Sequence, residues 1–399
     1  MTGVWPWIPL AIAAVFGAAE LAARWWIRFR RLYYVFPPGL RQRLHVDADV
    51  FPELERVVRF EVNADGERGH DVPRVAAGQR LYRVLVAGGS QPEGYLLDQD
   101  TFWPGALEGA LDAPQNRRTL GASRVHVGSV ARSGVNAEAL DLVLARVLPR
   151  YPRLDAIVIL VGASDMLRWL EDGAPDDACA PLAAADIFRC HPEESFGWKP
   201  ATLALTELLR RGRRRLLKPV LVQHHAGSWI KRARAMRAQA KVIRATTHDP
   251  APMLDRFERC LRLAIARAKA HADRVVVARQ SWFDKDELTA EELAHMWHGG
   301  AGRAWCENVS TYYSIEVTSR LMGLLDDRAA RVADEQGVDH IDLRAIVEST
   351  LRNYYDFFHL TPAGARLVAS AVADTLLCDP AMRPTFGAGH LRCVDLRAS

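Results

Sequence analysis

The sequence predicts an α/β fold with a parallel sheet, on three observations. Short apolar runs recur between Leu81 and Leu343, bounded by glycine or polar residues, as buried strands require. Stretches of helical periodicity lie between them, and strands that alternate with helices build a parallel sheet covered on its faces. Across the 399 residues, 49% apolar and 25% charged side chains supply an ordinary core and exclude a disordered, collagen-like or multi-span membrane chain. Functional side chains in such a fold belong at the carboxyl ends of the strands.

The elements follow in order. From Val4 the run VWPWIPLAIAAVFGAA is almost wholly apolar, and Leu21, Ala22 and Ala23 prolong it past Glu20. That length reaches the minimum for a bilayer core, about 17 to 20 residues. Trp5, Trp7, Trp25 and Trp26 sit near its ends, where amphipathic rings favour the headgroup layer. No small-residue cleavage site precedes a polar start, and Arg24, Arg28, Arg30 and Arg31 follow at once, so residues 1–31 are expected to be an uncleaved single-pass anchor with a basic flank. The positive-inside rule would hold that flank in the cytoplasm. Residues 32–78, rich in Pro, Arg and acids without sustained periodicity, are expected to form a linker or stalk, or a small packed annex.

The main body, residues 79–399, opens with the strand-like LYRVLVA at 81–87. Further strands are expected at 124–130, 156–161, 274–278 and 340–343. The clearest helix is MLDRFERCLRLAIARAKA, where Leu254, Phe257, Leu261, Ile265 and Ala268 form one apolar stripe. Between about residues 175 and 247 the alternation breaks. RRGRRRLLK and WIKRARAMRAQAK are basic there, and PVLVQ reads as a strand or part of a helix. This stretch is expected to be an insertion over the sheet, its arginines either solvated or set against anionic lipid or glycan.

Several chemistries are set aside. Lys plus Arg at 52 against Asp plus Glu at 48 is too even to predict a nucleic-acid partner. The six cysteines contain no CxxC pair; Cys179 with Cys190, and Cys378 with Cys393, are close enough for disulfides or are buried free thiols. GGSQPEG, at 88–94, lacks the Lys and Ser/Thr of a phosphate-binding loop, and no dinucleotide fingerprint is present, so no cofactor is expected. His224 and His225 diverge on any element, and His295 with His298 has no third ligand nearby, so no metal is expected either.

Two short blocks carry the chemistry. Ser90 follows the first strand and two glycines, on a turn where its hydroxyl can stand at the sheet's carboxyl edge. Far along the chain, DFFHLTPAG sets Asp356 and His359 three residues apart, ahead of Thr361 as a helix N-cap and Pro362 in the first helical turn. A serine hydroxyl becomes a nucleophile when an imidazole accepts its proton, and the imidazole needs a carboxylate to fix its tautomer. Either block alone is ordinary turn chemistry.

The order of four blocks resembles the SGNH/GDSL hydrolase superfamily, over roughly residues 81–377. They are GGSQPEGYLLDQDTFWPGALEGAL with Gly-Gly-Ser in place of Gly-Asp-Ser, SVARSG at 129–134, VGASD at 161–165, and DFFH. The resemblance implies a three-layer α/β/α flavodoxin-like fold and a serine esterase working through an acyl-enzyme. It implies Ser90 as nucleophile, His359 as base and then acid, and Asp356 as its partner. The implied oxyanion donors are the N–H groups of Ser90 and Ala131 and, where the family carries an asparagine, the hydroxyl of Ser164; Asp165 is implied to brace its loop. Members of this branch are similar to exported or membrane-tethered bacterial proteins associated with surface polysaccharide. That places the body outside the cytoplasm, against the arginine flank, with an acylated carbohydrate or lipid as substrate. The same triad serves an O-acyltransferase, and the departures at Ala131 and Ser164 also suit a non-catalytic glycan-binding protein. Trp297, Trp305, Tyr312 and Tyr313 are candidates to line the cleft, the core or a lid.

Overall fold

The computed structural model describes residues 7–30, 33–176 and 202–378. Helix α1 (Trp7–Phe29) precedes two antiparallel strands, β1 (Arg41–Val46) and β2 (Val57–Glu61). Strand β3 (Leu81–Gly88) leads through helices α2 (Ser90–Glu93), α3 (Trp103–Leu111) and α4 (Pro114–Thr119) to β4 (Arg124–Ser129). Helix α5 (Ala137–Val147) then connects to β5 (Leu154–Leu160), and α6 (Ala163–Glu171) follows it. The insertion supplies α7 (Ala204–Leu217), β6 (Val220–Ala226), α8 (Trp229–Ala238) and β7 (Val242–Arg244). The chain finishes with α9 (Ala251–Lys269), β8 (Ala272–Arg279), α10 (Ala290–His295), β9 (Thr311–Tyr313), α11 (Ile315–Gln336), β10 (Asp339–Asp342) and α12 (Pro362–Leu377).

Each apolar run that reads as a strand is one, and together they form a five-stranded sheet in the order β10-β8-β5-β3-β4, with every neighbouring pair parallel. Counted within this sheet, the order is the flavodoxin-like 2-1-3-4-5 read from β4. The chain leaves β3 for one side and returns on the other, so the winding reverses at β3 and a crevice opens at its carboxyl end. Helices α5, α9 and α11 pack together, as do α3 and α12; right-handed crossovers put the two groups on opposite faces of the sheet. The stripe on α9 points inward as its spacing predicts: Leu254, Phe257, Leu261, Ile265 and Ala268 are all buried.

Residues 33–78 are a packed annex and not a free linker. β1 pairs with β2 on one side and, in parallel, with β6 of the insertion on the other. Phe36, Leu44, Phe51 and Phe60 are buried in the same core as the central sheet. The annex is keyed to that sheet by Arg68, whose fully buried guanidinium lies 4.4 Å from the Phe60 ring centre and 4.0 Å from that of Phe102. It donates to the carbonyls of Glu93, Gly94 (2.8 Å) and Leu97 (2.5 Å). Burial pulls its pKa down to about 9, with the nearby Glu93 and Asp98 opposing. Of PVLVQ, all but Pro219 lies within β6.

Helix α1 is long and apolar enough to cross a membrane and is largely exposed, with Ala23 and Ile27 buried. Cys260 and Cys306 are free and Cys378 is disulfide-bonded; Cys179, Cys190 and Cys393 lie outside the described residues.

The end of β3 requires glycine at 88. Its φ is +158°, and a Cβ there would meet the Leu160 carbonyl oxygen at 2.0 Å. Gly88→Ala is expected to cost about 3 kcal/mol or more in urea unfolding, because strain and backbone overlap add. Gly109→Ala, in α3 with nothing within 4 Å, should be neutral or stabilising by up to about 1 kcal/mol.

Candidate active site

Strand β3 delivers the chain to Gly89, the N-cap of α2, which turns it so that Ser90 opens the short helix. Gly89 N–H is held by the Leu160 carbonyl at 3.1 Å, tying the turn to the end of the neighbouring β5. The Ser90 N–H is then one of the first-turn donors that a helix leaves unpaired.

The loop 355–359 arrives from the other end of the chain. Tyr355 N–H reaches the His359 carbonyl at 3.0 Å, which closes the loop, and Thr361 caps α12 by accepting from Gly364 N–H at 3.3 Å. Inside it the fully buried Asp356 carboxylate accepts from the backbone N–H of Phe358 (2.9 Å) and His359 (2.8 Å) and from His359 Nδ1 (2.9 Å). Its second oxygen accepts from Trp297 Nε1 at 2.9 Å. Burial alone would raise the carboxyl's pKa; the positive charge available on His359 and these N–H donors outweigh it and hold the group well below the usual carboxylate range. A carboxylate can only accept, so Nδ1 of His359 carries the proton and Nε2 is left as the acceptor. Nε2 lies 2.8 Å from Ser90 Oγ. Ser90, His359 and Asp356 are therefore brought together in hydrogen-bonding order, with His359 retaining 17% side-chain exposure toward solvent.

Ser164 stands beside this turn: a Cβ built on Gly89 would lie 3.5 Å from its Oγ. Asp165, next in α6, is half-buried and accepts from Ala137 N–H with both oxygens at 3.1 Å, joining the start of α5 to α6. Ala131 is placed differently from the expectation. It is fully buried and its N–H donates to Ser129 Oγ at 3.3 Å, so it is not a free donor. Among the described residues, the N–H of that loop left without a protein partner is that of Gly134, which is exposed at φ +78°.

Three contacts escape a reading of the sequence. Gln91, adjacent to the serine and buried, donates through Nε2 to the Phe358 carbonyl at 2.7 Å and to Ser281 Oγ at 3.2 Å. It ties the serine turn to the histidine loop. Trp297, a candidate cleft residue, instead serves Asp356 and meets Trp229 edge-on at 5.0 Å. His298 is buried with both ring nitrogens unpaired, and burial lowers its pKa to about 3 although the Asp356 charge opposes this. It is a neutral spacer 3.6 Å from the Trp297 ring centre. Ligand atoms of His298, Asp356 and His359 lie within 4.8 Å of one another, but in this arrangement His359 is committed to Asp356 and Ser90. Tyr312 and Tyr313 are core residues, and Trp305 is half-buried. The His224 ring lies 4.9 Å from that of His45, tilted by 33°.

No protein-family model and no curated protein matches the chain. Among solved structures it is similar to an acetylxylan esterase from Geobacillus stearothermophilus, with TM-score 0.39 and 13% identity over 78% of this chain and 99% of that one. An α/β hydrolase from the metagenome of Lake Arreo, Spain, has TM-score 0.39 and 14% identity over 76% and 99%. A member of the lipolytic G-D-S-L family from Veillonella parvula has TM-score 0.39 and 10% identity over 73% and 96%.

Two outcomes follow from the geometry. Gln91→Leu removes the donor that joins the two loops, and a misplacement near 1 Å costs on the order of 100-fold in a positioned reaction; the rate at which a fluorophosphonate modifies the protein should fall by that order in stopped-flow while the fold, read by circular dichroism, is retained. Burial pushes the Asp165 carboxyl up to about 7. Between about pH 4 and 7 the folded chain then holds a proton that the unfolded chain has lost, so this contribution is complete below about pH 4 and disappears as pH rises to about 7. Urea titrations at pH 5 and pH 8 should show the wild type losing a few kcal/mol relative to Asp165→Asn on the order expected from that shift.

Proposed function

We propose that the protein is a serine esterase of the SGNH/GDSL type. The observation that carries the reading is the relay from Ser90 Oγ to His359 Nε2 at 2.8 Å and from His359 Nδ1 to the buried Asp356. In this proposal Ser90 Oγ attacks the acyl carbonyl as His359 Nε2 takes its proton. Asp356, already ionised, stabilises the imidazolium. The Ser90 N–H and the Ser164 hydroxyl, with a main-chain N–H from the loop at 131–134, meet the developing oxyanion. Collapse expels the alcohol, which receives the proton from His359, and leaves an acyl-Ser90. A water, activated by the same nitrogen, then releases the acid. The order of the four sequence blocks supports the same assignment.

As substrate we propose an O-acyl group on a carbohydrate or lipid, reached by a protein tethered through α1. Support for retention of α1 comes from Glu20, which accepts from the N–H groups of Ala204 (2.8 Å) and Leu205 (3.0 Å) and pairs with Arg24 at 2.7 Å. Removing the helix would uncap α7 and expose Ala204. We place the body outside the cytoplasm on the family resemblance; a reporter fused after Ser399 that is active only on the cytoplasmic side would overturn that placement.

The test is turnover of nitrophenyl acetate. Ser90→Ala and His359→Ala should each lower kcat/KM by at least about 1,000-fold, and the wild-type rate should fall on acidification from about pH 8 to 5 as the imidazole becomes a cation. Equal turnover in Ser90→Ala, or a rate independent of pH across that range, contradicts the proposal.

A further inference from the structure

We propose that the outward face of α7 lies in the headgroup layer of an anionic bilayer beside the point where α1 enters. The inference rests on α1 spanning that bilayer. Helix α7 turns Ala204 and Glu207 inward and presents Leu209, Leu216 and Leu217 outward at 72%, 81% and 68% exposure. Val220, Leu221 and Val222, at the start of β6 just after the helix in the chain, are about half exposed. Large apolar side chains this open are costly in water and mark a covered surface when they are contiguous.

The charges on the same face are equally uneven. Arg211 and Arg214 turn back to Glu207 at 2.8 and 3.3 Å. Arg210, Arg213, Arg215 and Lys218 are exposed, with no carboxylate partner among the described residues. Leucines interleaved with unpaired arginines are the composition of an interfacial helix, whose apolar side chains enter the acyl boundary while cations reach anionic headgroups.

Its attachment supplies the location. The contact with α1 is made at Glu20, Ala23 and Ile27. From Trp7 to Glu20 a helix rises about 20 Å, less than the hydrocarbon core of about 30 Å. By Ile27 the rise is about 30 Å, so with α1 spanning from its start the contact from Glu20 to Ile27 covers roughly the last 10 Å of the core, the depth to which an interfacial helix buries its apolar face. Glu20 meets two N–H donors and Arg24 there, which is how an acid is tolerated at that depth. Trp25 and Trp26 are exposed on the adjacent turns, where interfacial rings belong.

Depth-dependent quenching tests this with the full chain in nanodiscs of phosphatidylglycerol and phosphatidylcholine. In a Cys306→Ser background, an environment-sensitive fluorophore is placed on Phe16→Cys, Leu209→Cys, Leu216→Cys or Leu263→Cys, the last being an exposed position on α9. Doxyl lipid should quench the labels at 16, 209 and 216 at least about twofold more than the label at 263. Replacing phosphatidylglycerol, or introducing Arg210→Gln, Arg213→Gln and Arg215→Gln together, should lower quenching at 209 and 216 without changing it at 16. An unquenched label at 16 defeats the spanning helix and the proposal with it. Quenching at 16 with values at 209 and 216 equal to 263 overturns the proposal alone. Protection at 209 and 216 that follows the number of chains per disc instead of the lipid assigns the face to a second copy and also overturns it.

Discussion

Asp356 keeps a negative charge at a position with no solvent exposure, and the rest of the site follows from how that charge is satisfied. Four N–H groups converge on it: two from the backbone of its own loop, one from His359 and one from Trp297. A carboxylate stripped of water is tolerated only with such a complement of donors. The same donors determine its neighbours. His359 cannot rotate without losing a bond to Asp356, and its remaining nitrogen is left aimed at Ser90.

The scaffold around this charge draws on every part of the chain. The Tyr355 ring stacks on His359 at 5.5 Å, Phe51 from the annex meets Tyr355 edge-on at 5.2 Å, and Arg234 from the insertion donates to the Tyr355 carbonyl at 2.9 Å. On the serine side, Arg68 holds the carbonyls that follow α2, while Gln91 bridges to the histidine loop. The annex and the insertion thus restrict, from behind, the loops that carry the candidate site. His298 contributes bulk without charge, so it adds no second cation next to Asp356.

Much of this is legible in the sequence where the signal is local. The inner strands β3, β5 and β8 carry near-continuous apolar runs because a parallel sheet is buried on both faces, and Asp356, His359 and Thr361 lie within one short capped loop. Residues 33–78 gave no pattern because β1 and β2 are short and β1 completes its pairing with β6, far along the chain. Trp297, Gln91 and Arg68 act through contacts that no spacing encodes: an indole N–H, an amide and a guanidinium read as core or surface until the fold brings their acceptors to them. Ala131 failed for a related reason. Block order locates the loop, but which N–H it leaves open depends on Ser129 Oγ taking the one at 131.

On the proposed reading, the relay centred on Asp356 raises the nucleophilicity of one hydroxyl in the chain, that of Ser90. The direct measurement is peptide mass mapping after reaction with a fluorophosphonate. The account predicts a single adduct, on Ser90, whose rate of formation collapses in His359→Ala; a folded protein that takes no adduct, or takes it on another residue at an undiminished rate, would contradict it.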